Sequence, residues 1–553
     1  MKRNLLRRAM AFTLGLGVAC SLFACTNNSN PDGNNIVIND GKTVNVRVYN
    51  AGYGTSYIGA LAEKFNEAYK EEGYRVNVLA PQEDLGSTIL LQDIYNKSGI
   101  DLYFCSCDIG LGVEGPYGSM LENITDMVLN RSPIRFDGTE EEGTVLEKLN
   151  GMKLDIEHEG KYYAIPYAYG FGGMAVNTRV LTEYELSIPR TTNELFDCVD
   201  KLMEKAATTR VFPVTYSSGG VYPNTLIRAW MAQYSGKEYI EQFWSMLNED
   251  GSRMEKPYDV FADESIERAL AEFYRLYDYN AVADGAAMQT FTAAQAQLMR
   301  GDAAFYAVGD WMFNEEFDRF PQQRNDVTII NTPVISALGV KLFGDTYDEA
   351  KCDQILSQIC KYIDEYKTME EIETLVESDL SVSLDMEEIE RVCEARGYTD
   401  PMSSSMIFLS VNSQVKDIAA LFMRMCASTE GGTLIAEHTR SNNPFSPNAL
   451  ANKEYRWLQD ASKILANPYS DYFRTGMVMT DYRATLSVNS MFPLLGSSIV
   501  AYVSEEGKTI YSGFNLDKTG DLALYASAAQ TTAQAIYTHA KKQYDEKIWN
   551  VHL

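Results

Sequence analysis

Residues 44–50 read VNVRVYN, and the stretch after them decides the fold. Val44, Val46 and Val48 alternate with polar positions, the period of a β-strand. GTSYIGALAEKFNEAYKEEG (54–73) follows, with Ile58, Leu61, Ala62, Phe65, Ala68 and Tyr69 on one helical face and Gly73 as its expected stop. YRVNVLA (74–80) then returns to the strand pattern through Val76 and Val78. Strand, helix, strand predicts a βαβ unit and a parallel sheet.

The same grammar recurs downstream. IPRTTNELFDCVDKLMEKA (188–206) opens with a capping box, Thr191 with Glu194, and carries Leu195, Val199, Leu202 and Met203 on one face. TAAQAQLMRGDAAFYAVGDW (292–311) reads as helix, Gly301, strand and a turn at Gly309. SQVKDIAALFMRMCAS (413–428) aligns Val415, Ala419, Phe422, Met423 and Cys426. The fold class is therefore α/β with more than one lobe, as 553 residues exceed one ordinary core. Residues 341–400 differ: they are acidic and helical in period, and read as a small helical insertion.

The chain's start has its own logic. A basic segment (Lys2, Arg3, Arg7, Arg8) precedes a mostly apolar, uncharged run, Ala9 to Ala24. The run is shorter than the roughly 20 residues of a membrane span, and fits a secretory signal. Leu22-Phe23-Ala24-Cys25 resembles the bacterial lipobox, whose Cys is acylated with diacylglycerol and becomes the new N-terminus. The alternative is an ordinary signal peptide with an incidental Cys. Residues 1–24 are thus expected to be the leader, Cys25 the lipid anchor on the outer face of the cell membrane, and 25–43 a flexible tether.

Composition narrows the function. Formal net charge is −28, which argues against nucleic acid as a partner. No later segment has about 18 uncharged apolar residues in a row, so the mature part is expected to be soluble. Of nine cysteines, seven remain beyond Cys20 and Cys25, an odd number, and free buried thiols are the simpler reading. Cys105 and Cys107 would share one strand face. Four histidines show no zinc spacing, and no metal or cofactor is expected. A P-loop and a G-x-S-x-G elbow are both missing, which lowers an enzymatic reading.

Rings are more informative: 35 Tyr, 23 Phe and 5 Trp. Ring faces suit the C–H faces of a sugar, while Asp, Asn and Arg suit its hydroxyls. In open α/β sheets ligands sit beyond the carboxyl ends of strands. Asp310 and Trp311 fall just there, after the strand 303–308 and the Gly309 turn. The alternative is that Trp311 closes the core and Asp310 caps the next helix.

Five blocks then occur in order: GKYYAIPYAYGFGGMAVNTRVL, IPRTTNELFDCVDKL, AAQAQLMRGDAAFYAVGDWMFNE, TPVISALG and SVNSQVKDIAALFMRMCAS. Together they resemble the extracellular solute-binding proteins of the maltose-binding-protein-like, family 1 type. The resemblance implies two α/β lobes joined by hinge crossings around a ligand cleft. It implies a monomer that captures a small solute, most often a sugar, for an ABC permease, with no catalytic residues. Lobe I would be 44–168 plus 335–430, including the insertion, and lobe II 169–334 plus 431–553.

Carried over by position, the resemblance makes Trp311, Asp310, Asp108, Asn50, Tyr53 and Thr55 ligand candidates. It adds Tyr167 and Tyr169 in PYAYGFGG, Tyr216 in PVTYSSGG, and Trp230. Gly170, Gly172 and Gly173 would serve a hinge, since Gly tolerates wide backbone change. Tyr216 and Trp230 could equally be core. Two rivals stand beside this reading: a surface lipoprotein hydrolase acting on glycans, and an adhesin or oligopeptide binder without a permease.

Overall fold

The computed structural model describes residue 36 and residues 40–470 apart from 51, 83–86, 106–108, 115–116, 150–155, 218–221, 249, 251, 253, 278–280, 284–285, 287–288 and 452. It also describes 502–503, 509–511 and 522–545. Cys25, Cys107 and Asp108 lie outside the described residues.

The strands in chain order are β1 (Thr43–Val48), β2 (Arg75–Val78), β3 (Leu102–Cys105), β4 (Glu157–His158), β5 (Lys161–Tyr162), β6 (Ala164–Asn177), β7 (Phe212–Thr215), β8 (Ala303–Gly309), β9 (Val327–Ile330) and β10 (Asp400–Leu409). Eight of them form one sheet in the order β2-β1-β3-β10-β6-β8-β7, with β9 also paired to β6. β1, β2 and β3 are parallel, as the opening βαβ pattern predicts. The helix between β1 and β2 is Ser56–Ala68, and it buries Ile58, Leu61, Ala62 and Phe65 of the predicted face. It ends at Tyr69, and Gly73, with φ +74°, instead turns the chain into β2. The sheet is mixed because β10 runs antiparallel to both β3 and β6.

β6 organises the molecule. Its 14 residues are all buried. Ala164 to Ala168 join a core with Val44, Phe104, Ile407 and Phe422. Met174 and Val176 join a second core with Trp230, Phe273 and Phe305, and Tyr169 and Phe171 a third cluster with Met312, Phe317 and Trp457. Its register records the change of partner. Gly172 pairs with Asp400 of β10 on one side and Gly309 of β8 on the other. Two bodies of core are thus threaded on one strand, and β10 runs back beside it. A third connection, residues 441–443, lies against the same point. Asn443 Nδ2 donates to the Tyr167 carbonyl at 2.7 Å, and the Tyr169 N–H to the Asn442 carbonyl at 3.4 Å.

The acidic insertion forms helices as its period predicts: Glu349–Asp364, Met369–Leu380 and Met386–Gly397. Capping boxes start two of them, Thr368 with Glu371 and Asp385 with Glu388. Its helices pack with the second core. Ile355, Leu356, Ile359, Ile389 and Val392 are continuous with the core holding Trp230, not with that of residues 44–168. The flanking Leu338, Phe343 and Tyr398 belong to the Trp230 core too, and the chain returns to the first core from Met406. The final helix, Leu522–Asp545, packs Tyr525, Ala529, Ile536 and Ala540 on the insertion's side as well.

The helix Thr192–Thr209 starts near the predicted cap. Thr191 Oγ1 accepts from the Glu194 N–H at 3.3 Å, but the Glu194 carboxylate reaches the N–H of Arg190 rather than of Thr191. Cys198, Cys352, Cys360, Cys393 and Cys426 are free and buried, and Cys105 is buried as well. No helix of the described residues is long and apolar enough to cross a membrane.

Candidate functional site

The carboxyl ends of β1 and β8 meet over the middle of β6. After β8, Asp310 and Trp311 lead into the short helix Met312–Glu316. After β1, Tyr49 and Asn50 lead into the turn at Gly52 and Tyr53. Gly170 lies beneath both: a Cβ there would collide with the Tyr53 hydroxyl and come within 3.0 Å of Asp310 Oδ1 and Trp311 Cε3. The position has extended strand backbone. Glycine is required there by close approach, not by a left-handed conformation.

Trp311 is half-buried and is the centre of the arrangement. Its indole covers Gly309, and a Cβ at Gly52 would be 2.5 Å from its Cδ1. Tyr53 meets it edge to face, with centroids 6.0 Å apart and planes at 81°. Tyr222, from the helix Tyr222–Ser235, lies 5.9 Å away at 48°. Tyr222 in turn packs at 6.2 Å on Tyr306 of β8. Two tyrosines against an indole, with Tyr306 behind one of them, give a wall of ring faces and edges.

Polar groups border this wall. Asn314 Nδ2 donates to the Gly52 carbonyl at 2.8 Å, joining the two sides. Gln295 Nε2 donates to Glu315 at 2.6 Å. Burial raises the Glu315 carboxyl above its ordinary range. Burial also raises the Tyr222 phenol to about 12, helped by Glu315 and offset by Trp311, with Tyr49 adding to the rise. The Tyr306 hydroxyl is buried behind Tyr222, with the Ser217 hydroxyl as its polar neighbour. Gln295 Oε1 is buried there as well and makes no hydrogen bond.

Asp310 has a different character. It is 3% exposed. Its carboxylate accepts from Tyr53 Oη at 3.5 Å and Ser441 Oγ at 3.4 Å, both long. Desolvation outweighs these donors, so the carboxyl is raised to about 7. Its backbone is fixed by the Phe171 carbonyl, 3.1 Å from its N–H, and by Trp457 Nε1, which donates to its carbonyl at 3.0 Å. Asp310 is therefore a buried bracket behind Trp311 linking β8, the Tyr53 turn and residue 441.

The sequence-derived candidates divide. Trp311, Asp310, Tyr53 and Gly170 come together. Asn50 and Thr55 are half-buried on the same turn, Asn50 tied by its N–H to the Gln82 carbonyl at 2.9 Å. Trp230 does not join them. It is fully buried, and its Nε1 donates to the Pro333 carbonyl at 3.1 Å. It packs in the second core with Phe273 and Phe305, which accounts for its burial. Tyr167 stacks on Tyr57 at 5.3 Å and 27° inside the first core. Tyr216 packs edge-on at 5.6 Å against Tyr277. Tyr169 is buried beside Asp310, which adds to the upward shift that burial gives its phenol. Gly172 and Gly173 lie where β6 changes partners, pairing with Gly309 and Val308.

Sequence reasoning passed over Tyr222, Tyr306, Glu315, Gln295 and Ser441. Glu315 and Asn314 were within reach: they fall one helical turn beyond Trp311, at the i+4 and i+3 spacings. Tyr222 and Ser441 carried no local signal, because each arrives from a distant part of the chain.

The model of the bacterial extracellular solute-binding protein family matches residues 60–344, just over half of the chain. No curated protein matches by sequence. Solved structures match over nearly the whole chain. One is a chitin oligosaccharide binding protein, at 12% identity, covering 92% of this chain and 99% of that one, with a TM-score of 0.51. Another is the bacterial solute receptor AcbH, whose description gives an exclusive preference for b-D-galactopyranose, at 11% identity, 90% and 99% coverage and a TM-score of 0.53. A third comes from work on xylan utilisation by the thermophilic Caldanaerobius polysaccharolyticus, at 13% identity, 92% and 100% coverage and 0.53. At these identities the structures share the fold. With the family model spanning more than half of the chain, Trp311 included, the chain belongs to the bacterial extracellular solute-binding proteins.

Proposed function

We propose that the protein is the solute receptor of an ABC importer and that its solute is a carbohydrate. The observation that carries this is the ring wall of Trp311, Tyr53 and Tyr222, bordered by Asn314, Gln295 and Glu315. Apolar ring faces match the C–H faces of a pyranose, and the polar border matches its hydroxyls. The sugar receptors among the structural neighbours support the same solute class.

Capture would work by closure. The Tyr53 turn belongs to the first core, and the Trp311 indole packs against it from the end of β8, whose Ala304, Phe305 and Ala307 belong to the second. A solute touching both binds the closed form better, and so shifts the molecule toward it. β6, β10 and residues 441–443 are the connections that must bend. Cys25 would tether the protein by lipid beside its permease, and no catalytic step is involved. A thermal-shift screen of mono- and oligosaccharides tests the reading. A ligand at 100 times its Kd raises stability by about 2.7 kcal/mol. A panel that leaves the melting temperature unmoved, with amino acids or peptides shifting it instead, would replace carbohydrate as the solute.

A further inference from the structure

We propose a divalent transition-metal site formed by His158, Glu114 and Glu159, away from the Trp311 wall. β4 and β5 form a tight hairpin, with His158 opposite Lys161. Glu159 and Gly160 make its two-residue turn, both with positive φ (50° and 75°). This turn folds Glu159 back beside His158. Glu114 arrives independently, at the end of the helix Ile109–Glu114. One ligand atom from each of the three residues lies within 4.8 Å of the other two.

The imidazole carries the argument. His158 is only 11% exposed, and its Nε2 is buried without a hydrogen bond. That nitrogen sits 3.2 Å from Glu114 Oε1. The pair makes no hydrogen bond, and Glu159 offers a second carboxylate beside it. A metal fits the His158–Glu114 spacing: with bonds of about 2.1 Å, neighbouring ligands on one ion stand roughly 3.0 to 3.4 Å apart. One imidazole nitrogen and two carboxylates suit zinc-like ions better than calcium or magnesium, which prefer all-oxygen shells. Glu114 and Glu159 are exposed, so an ion can enter and water can fill the remaining positions. Bound there, it would pin the hairpin that feeds β6 to the helix Ile109–Glu114.

The test uses the full chain without a polyhistidine tag and Zn2+ alone. Calorimetric titration should show one Zn2+ in wild type that His158→Gln and Glu114→Gln each weaken at least tenfold, the effect of losing even an outer-shell partner. Glu114 is half-exposed, so Glu114→Gln keeps the fold if His158→Gln does not. Substitution with Co2+ should give a spectrum without a thiolate charge-transfer band, which separates this site from the cysteines. Equal Zn2+ affinity in wild type and both variants, or a thiolate band, would overturn the proposal and leave His158 and Glu114 as an ion pair only.

Discussion

Tyr53 and Trp311 are 258 positions apart in the chain, and their rings meet edge to face at 6.0 Å over Gly170. The contact brings the end of β1 to the end of β8 at the point where β6 passes from one body of core to the other. Everything proposed about capture depends on that meeting.

Trp311→Ala should lower affinity for the solute at least roughly 30-fold, since buried ring anchors typically cost about 2 kcal/mol or more on truncation. Trp311→Phe keeps a ring and should lose less. Trp230→Ala is the contrast. It removes a fully buried indole from the core and should cost about 3–5 kcal/mol of stability. Its folded fraction should still bind. Calorimetry with a solute from the screen, alongside denaturant melts, checks both; unchanged affinity in Trp311→Ala would remove the indole from the site.

Gly170→Ala should act on binding more than on folding. The added methyl drives the Tyr53 hydroxyl aside and presses on Trp311. Overpacking of this kind costs about 1–3 kcal/mol, or roughly 5- to 150-fold in affinity if it falls on the closed form. Tryptophan fluorescence of the free variant should shift, and small-angle scattering should show less compaction with solute. Wild-type affinity in this variant would mean that the contact is not part of closure.

Stability should fall as pH rises from about 4 to 7 because of Asp310. Its carboxyl titrates near 7 when folded, against about 3.9 in an unfolded chain. Between those values the native state holds a proton that the unfolded state has released, so unfolding gains with pH. The contribution is complete below the unfolded value and fully lost above the folded one. Asp310→Asn should flatten this part of the curve. Urea melts from pH 4 to 8 measure it, and parallel profiles for the two proteins would contradict the assignment.

The start of β10 depends on one buried ion pair. Arg228 Nε and Nη2 reach the two oxygens of Asp400 at 2.7 and 2.5 Å, and Asp400 is 2% exposed. Asp400→Asn removes the charge that faces a buried guanidinium and should cost about 3–5 kcal/mol. Replacing both partners by Met and Leu should cost less. Chemical denaturation of the three proteins tests this; equal losses would show that packing, not charge, sets the cost.

Cys25→Ala should abolish lipid labelling and release the protein from the membrane fraction. Equal labelling of mutant and wild type would end the anchor reading.

The sequence by itself determined the element types. Val44, Val46 and Val48 announced a strand, the helix Ser56–Ala68 followed from its apolar face, and Gly301 marked the turn into β8, because these signals rest on neighbours within one or two turns of chain. It also pointed to Asp310 and Trp311, since a strand end followed by Gly is a local feature. Tertiary structure decided what those elements meet. Trp230 and Trp311 are equally aromatic in the sequence; one lies sealed in a core and the other on the wall, because burial is set by distant partners. The acidic insertion reads as helices wherever it packs, and only the tertiary structure put it with the second core, because its apolar faces meet residues far along the chain. Tyr222 and Ser441 reach the site from far along the chain, and the raised carboxyl of Asp310 is a property of the desolvated space closed over it by Tyr53, β6 and residue 441.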